Sequence, residues 1–149
     1  MSDLTDLYQE VILDHYRNPH NFREMADADR SAEGYNPLCG DRLTVYLRMD
    51  GDTVSEVTFQ GTGCAISQAS ASVMTDAVKG KTPDQLKELF TRFRSLVTEE
   101  GEADADLEAF GELAAMSGVR AFPTRVKCAT LGWHTLLAAL EQKRKVSTE

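Results

Sequence analysis

The stretch Cys39–Cys64, CGDRLTVYLRMDGDTVSEVTFQGTGC, decides the fold. Leu43, Val45, Leu47 and Met49 alternate with Thr44, Tyr46 and Arg48, the period-2 pattern of a strand with one buried face. Asp50-Gly51-Asp52 is a turn signal, and Val57 and Phe59 continue on a second strand. A β-hairpin therefore lies between two cysteines, each beside glycine: Cys39-Gly40-Asp41 at its start and Gly61-Thr62-Gly63-Cys64 at its end.

Outward from the hairpin the period changes. Ile66, Ala69 or Ser70, Val73 and Ala77 describe a helix that stops at Lys79-Gly80-Lys81. Thr82-Pro83 opens another with a cap and a proline at the first position, and Leu86, Leu89, Phe90, Phe93 and Val97 form its apolar face, with Leu96 at the edge. The acidic segment 99–108 reads as a solvated loop, 106–116 as a short helix, and Pro123 as the start of a last helix. That helix buries Val126, Ala129, Leu131, Trp133, Leu136, Leu137 and Leu140. Upstream, Leu4, Leu7, Tyr8, Val11, Ile12 and Tyr16 make an amphipathic helix over 4–16, capped by Asp3 or Thr5 and ended by Asn18-Pro19. An edge strand fits around 30–35. Strands early and helices late, without repeats or linkers, give a single α+β domain over 1–149.

Composition narrows the function. Sixteen basic against 24 acidic residues leave a net charge of −8, which speaks against a nucleic-acid partner. No apolar run approaches the roughly 20 residues of a membrane span. The start of the chain lacks the basic-then-apolar layout of a signal peptide, so a cytoplasmic protein with reduced thiols is expected. Lys143-Arg144-Lys145 reads as helix-dipole compensation and solvation.

Three cysteines, none close to another in sequence, exclude a zinc ribbon and a CxxC redox pair, and the odd count argues against a fully paired disulfide framework. Cys39, Cys64 and Cys128 with Asp41 are nevertheless a complete tetrahedral set for zinc if the fold gathers them. Cys39 and Asp41 fall on a loop before a strand, Cys64 at a helix N-terminus and Cys128 in the early turns of the last helix. The partial positive charge of helix N-termini favours thiolate, so Cys64 and Cys128 are both expected to ionise readily. The plainer reading makes Cys64 and Cys128 core residues and Asp41 a turn residue.

From Asn36 to Met74 the chain, together with DHYRNPHNF at 14–22, KGKT at 79–82 and RVKCATLGW at 125–133, resembles the IscU/SufU family of iron–sulfur cluster assembly proteins. The resemblance spans nearly the whole chain and implies a small antiparallel three-stranded sheet packed against helices, with the cysteines converging at one end. It carries over Cys39, Asp41, Cys64 and Cys128 as metal ligands. Lys127 stands where IscU-type proteins have histidine, and extra residues lie around 90–110; both features resemble the SufU branch. A protonated amine cannot bind a metal, which leaves Asp41 or an outside group as fourth ligand.

The branch implies a zinc-dependent sulfurtransferase. Such a protein accepts persulfide sulfur from a SUF-type cysteine desulfurase, stimulates it, and passes sulfur to a downstream scaffold as a monomer when free. The alternatives are an IscU-type scaffold that transiently assembles an iron–sulfur cluster, and a domain whose zinc is only structural. Cys39, on a Pro- and Gly-flanked loop, is the expected sulfur acceptor. Arg125, one turn before Cys128, is the expected residue for orienting the partner or stabilising anionic sulfur, unless it is an ordinary surface arginine. His15 and His20 are expected to be structural or partner-facing, His134 to pack or lie exposed, and Met74 and Met116 to sit in the core.

Overall fold

The computed structural model describes residues 2–98, 111–142 and 145–147. The chain begins with helix α1 (Ser2–Arg17), followed by strands β1 (Arg30–Asn36), β2 (Asp41–Asp50) and β3 (Thr53–Thr62). Helices α2 (Ala65–Val78) and α3 (Pro83–Thr98) come next, then a 3-10 helix (Gly111–Ala121), α4 (Pro123–Leu140) and the short strand β4 (Lys145–Ser147).

The hairpin forms as the alternation predicts. Leu43, Val45 and Leu47 of β2 face inward with Val57 and Phe59 of β3, all essentially without solvent exposure, and Val45 pairs with Phe59 across the ladder. Inward-facing side chains of β1, β2 and β3 meet α2 and α4 in one continuous core. Ser70 of α2 donates to the Ala129 carbonyl of α4 at 2.6 Å, locking the two helices at the level of Cys128. Trp133 stacks against both Phe90 and Phe93 of α3, with ring centroids 5.9 and 4.9 Å away. Thr82 caps α3 as expected: its Oγ1 accepts from the Gln85 N–H at 3.2 Å, and the Gln85 side chain answers at the Thr82 N–H at 2.9 Å. Met74 and Met116 are both in the core.

Four expectations need correction. The sheet has four strands in the order β3-β2-β1-β4 and is mixed, because β4 pairs parallel to β1. Lys145 accordingly lies on a strand rather than in the last turn of α4, which ends at Leu140. The helix expected over 106–116 is, from Gly111 onward, a 3-10 helix that continues to Ala121. Leu113, Met116 and Val119 are all buried at three-residue spacing, the period of 3-10 geometry rather than of an α-helix. Finally, α1 already includes Asp3 and Thr5, so neither caps it, and Leu7 and Tyr16 of its apolar stripe are exposed. The acidic segment read as a loop lies outside the described residues.

Candidate metal centre

The end of the sheet where β1 hands over to β2 meets the N-terminal ends of α2 and α4. Residues 37–40 form the β1–β2 turn, closed by Asn36 pairing with Asp41. Gly40 takes the φ of +72° that the turn requires, a conformation side-chain-bearing residues rarely adopt. Cys39 is exposed on this turn, its N–H donating to the Asn36 carbonyl at 3.3 Å. Asp41, two residues on, is wholly buried.

Cys128 is buried in the second turn of α4, its sulfur 3.4 Å from Cys39 Sγ. The donor atoms of Cys39, Asp41 and Cys128 all lie within 4.8 Å of one another. Cys64 stands just outside this group as the N-cap of α2, with its Sγ 3.9 Å from Asp41 Oδ2. It closes the other side of the same open cleft, lined by Cys39, Cys64, Cys128, Ile66, Phe122 and Arg125. The structure thus brings all four sequence-predicted ligand positions to one place, three of them tightly. Two thiols and a carboxylate in contact, with a third thiol on the facing wall, are a donor set suited to Zn²⁺.

The carboxylate is held from two sides. Asp41 Oδ1 accepts the Cys64 backbone N–H at 2.8 Å, and Oδ2 accepts from Asn36 Nδ2 at 3.2 Å. Gly63 makes the first contact possible, since a β-carbon there would sit 2.6 Å from Asp41 Oδ1 and 2.6 Å from Ser67 Oγ.

The thiols differ in acidity. Cys64 is lowered to about 6, first because the Cys128 thiol hydrogen-bonds to it and then because the Ser67 N–H at the start of α2 also donates to its sulfur. Burial and the neighbouring Asp41 charge oppose this without prevailing. Cys128 is instead pushed up, by its hydrogen bond to Cys64 and by burial. The expectation that both helix-borne cysteines ionise readily holds for Cys64 and fails for Cys128. The helix field falls off within the first turn, and Cys128 lies beyond it, buried beside the Cys64 and Cys39 sulfurs and Asp41.

Arg125 is exposed at the mouth of the cleft, its guanidinium 4.5 Å above the Phe122 ring. His15 and His20 are not in the donor group. His15 is buried, with Nδ1 2.7 Å from Ser72 Oγ and Nε2 3.0 Å from Glu112 Oε1, and His20 Nδ1 lies 2.5 Å from Asp76 Oδ2. His134 is half-buried and edge-on to Phe90. Asn36 is the contact that sequence reading missed. The signal was present: Ala32, Gly34 and Asn36 share the inward parity of β1, which places a polar amide on the core face just before the cysteine turn.

Comparison with known proteins agrees with this geometry. Residues 7–144 match the family model described as the NifU-like N-terminal domain. The zinc-dependent sulfurtransferase SufU of Bacillus subtilis is 41% identical over 135 residues, covering 91% of this chain and 90% of that protein. The iron–sulfur cluster assembly scaffold protein IscU of Streptococcus pyogenes is 36% identical over 142 residues, covering 95% and 87%. A crystal structure of a candidate iron–sulfur cluster assembly scaffold for the SUF system, from Fervidobacterium islandicum, superposes with a TM-score of 0.80. It is 35% identical, covering 88% of this chain and 94% of that one.

Proposed function

The chain belongs to the family of NifU-like N-terminal domains, and from that premise we propose that it is a zinc-dependent sulfur carrier for iron–sulfur cluster assembly. It accepts persulfide sulfur from a SUF-type cysteine desulfurase, stimulates that enzyme, and passes the sulfur to a downstream scaffold. It works in the cytoplasm as a monomer that docks on the desulfurase.

The observation that carries this reading is the gathering of Cys39, Asp41 and Cys128 within 4.8 Å beside Cys64, with Cys39 the exposed one of the three cysteines. Cys39, Asp41, Cys64 and Cys128 are the residues that would hold Zn²⁺. Bound there, the metal keeps the thiols deprotonated and protected from oxidation. Lys127 follows the SufU pattern and offers no imidazole ligand.

The sulfur step belongs to Cys39. Its thiolate attacks the terminal sulfur of the desulfurase persulfide; an S–S bond forms at Cys39 as the donor's S–S bond breaks, and the donor cysteine leaves as thiolate. One sulfur atom moves between two thiolates, so no outside oxidant or reductant is consumed. Arg125, at the cleft mouth, orients the partner or pairs with the anionic persulfide. The scaffold reading is supported by the relatives named IscU, such as the iron–sulfur cluster assembly scaffold protein of Streptococcus pyogenes.

Cys39→Ala tests the carrier directly. It should abolish stimulation of the desulfurase and the gain of one sulfur in the mass of this chain. Full stimulation in that variant would remove Cys39 as the acceptor.

A further inference from the structure

Asn36 ends β1 directly opposite Asp41 and has no solvent exposure. Its amide nitrogen carries two hydrogens and faces two acceptors, Asp41 Oδ2 at 3.2 Å and Cys128 Sγ at 3.5 Å. The orientation of the amide follows from chemistry. Reversed, its carbonyl oxygen would face a carboxylate oxygen, acceptor against acceptor. In the observed orientation that oxygen, Oδ1, is buried without a hydrogen-bond partner among the described residues. A buried orphan of this kind is destabilising, a cost an apolar residue on the same inward face of β1 would not carry. A polar group retained at such a cost, between a carboxylate and a thiol of the proposed zinc site, points to a task for its donor side.

We propose that Asn36 is a positioning residue of the metal centre. Its amide sets the Asp41 carboxylate and the Cys128 sulfur in donor geometry before the metal arrives, without itself being a ligand. The inference rests on reading Cys39, Asp41, Cys64 and Cys128 as a zinc site. Asn36 supplies the sheet side of the grip on Asp41, and the Cys64 N–H supplies the helix side. With Asn36 gone, Asp41 Oδ2 loses its amide donor, keeping only the longer Cys64 Sγ contact, and Cys128 loses a donor. Hydrogen bonds to metal ligands orient them in this way, and their loss typically weakens metal binding by about 10- to 100-fold.

The test compares zinc affinity, by competition with a chromophoric chelator, and melting temperature with and without zinc, in wild type and Asn36→Leu. Leucine has a similar branched shape and no donor. The expected result is zinc binding weaker by roughly 10- to 100-fold with a nearly unchanged melting temperature for the metal-free protein. The zinc-induced rise in melting temperature should shrink, because stabilisation by a ligand follows its affinity. In an Asp41→Ala background the same substitution should cost less, since part of what Asn36 holds is already missing.

Wild-type zinc affinity in Asn36→Leu overturns the proposal. An equal fall of both melting temperatures, with the zinc-induced rise intact, also overturns it by showing a structural role only. If Asn36→Leu does not fold, Asn36→Ala carries the same comparison. Measuring the wild type alongside separates the two levels: no zinc binding there defeats the metal centre itself, whereas normal binding in both proteins defeats only the role of Asn36.

Discussion

Replacing Asp41 by alanine removes the hard member of the donor set and leaves all three thiols in place. Asp41 has no solvent exposure, and its two oxygens are engaged from opposite walls of the site. Losing a group that merely orients a ligand costs about 10- to 100-fold in metal affinity, so losing the ligand belongs at or above the upper end. A 100-fold loss is about 2.8 kcal/mol, at about 1.4 kcal/mol per factor of ten. At saturating zinc the same amount disappears from the stability that zinc confers. For a domain of this size, at roughly 2–4 °C per kcal/mol, the zinc-induced rise in melting temperature should shrink by about 6–11 °C. The metal-free protein should change less, because Asp41 also repels the Cys64 thiolate and its removal relieves that repulsion. Chelator competition and paired thermal melts measure both quantities. Wild-type zinc affinity with an unchanged zinc-dependent rise would refute the ligand role and leave Asp41 as a residue that ties the turn to α2.

Gly63→Ala places a β-carbon against Asp41 Oδ1 and Ser67 Oγ; it should weaken zinc binding, and unchanged affinity would show that the carboxylate has room to move. Trp133→Ala empties a fully buried site against Phe90 and Phe93 and should cost roughly 3–5 kcal/mol in denaturant unfolding. A loss under about 1 kcal/mol, the size expected of a surface site, would mean that the stack is not packed as described. His134 is held below its ordinary value by burial, with Arg94 adding to the effect. Between its ordinary value of 6.5 and its lower folded value the unfolded chain binds the extra proton, so stability should fall as pH drops through that window. His134→Gln should flatten that slope relative to wild type, and parallel stability curves would show no burial penalty on the imidazole.

How much of this was legible in the sequence depended on how local the determining interactions are. The alternation at 43–49, the Asp50-Gly51-Asp52 turn and the Thr82-Pro83 start each settle their element within a few residues, and each formed as read. Strand β4 is three residues long and pairs parallel with β1, so only the assembled sheet calls for it. The 3-10 helix needed the three-residue spacing of Leu113, Met116 and Val119 to be weighed against a four-residue alternative. At the site, the cysteine contexts marked side chains that the fold brings together, because glycine neighbours and a helix start are local features. The contrast between Cys64 and Cys128 was not local: it arises from their mutual hydrogen bond across α2 and α4 and from the burial of one of them. Asn36 was hidden for the same reason, its two acceptors being five and 92 residues away.

The most direct test of the central claim is the metal content of protein purified without oxygen, measured together with iron and acid-labile sulfide. The sulfur-carrier account predicts colourless protein with stoichiometric zinc and neither iron nor sulfide. Coloured protein carrying iron and sulfide in place of zinc would contradict it and assign the Cys39–Asp41–Cys64–Cys128 site to cluster assembly itself.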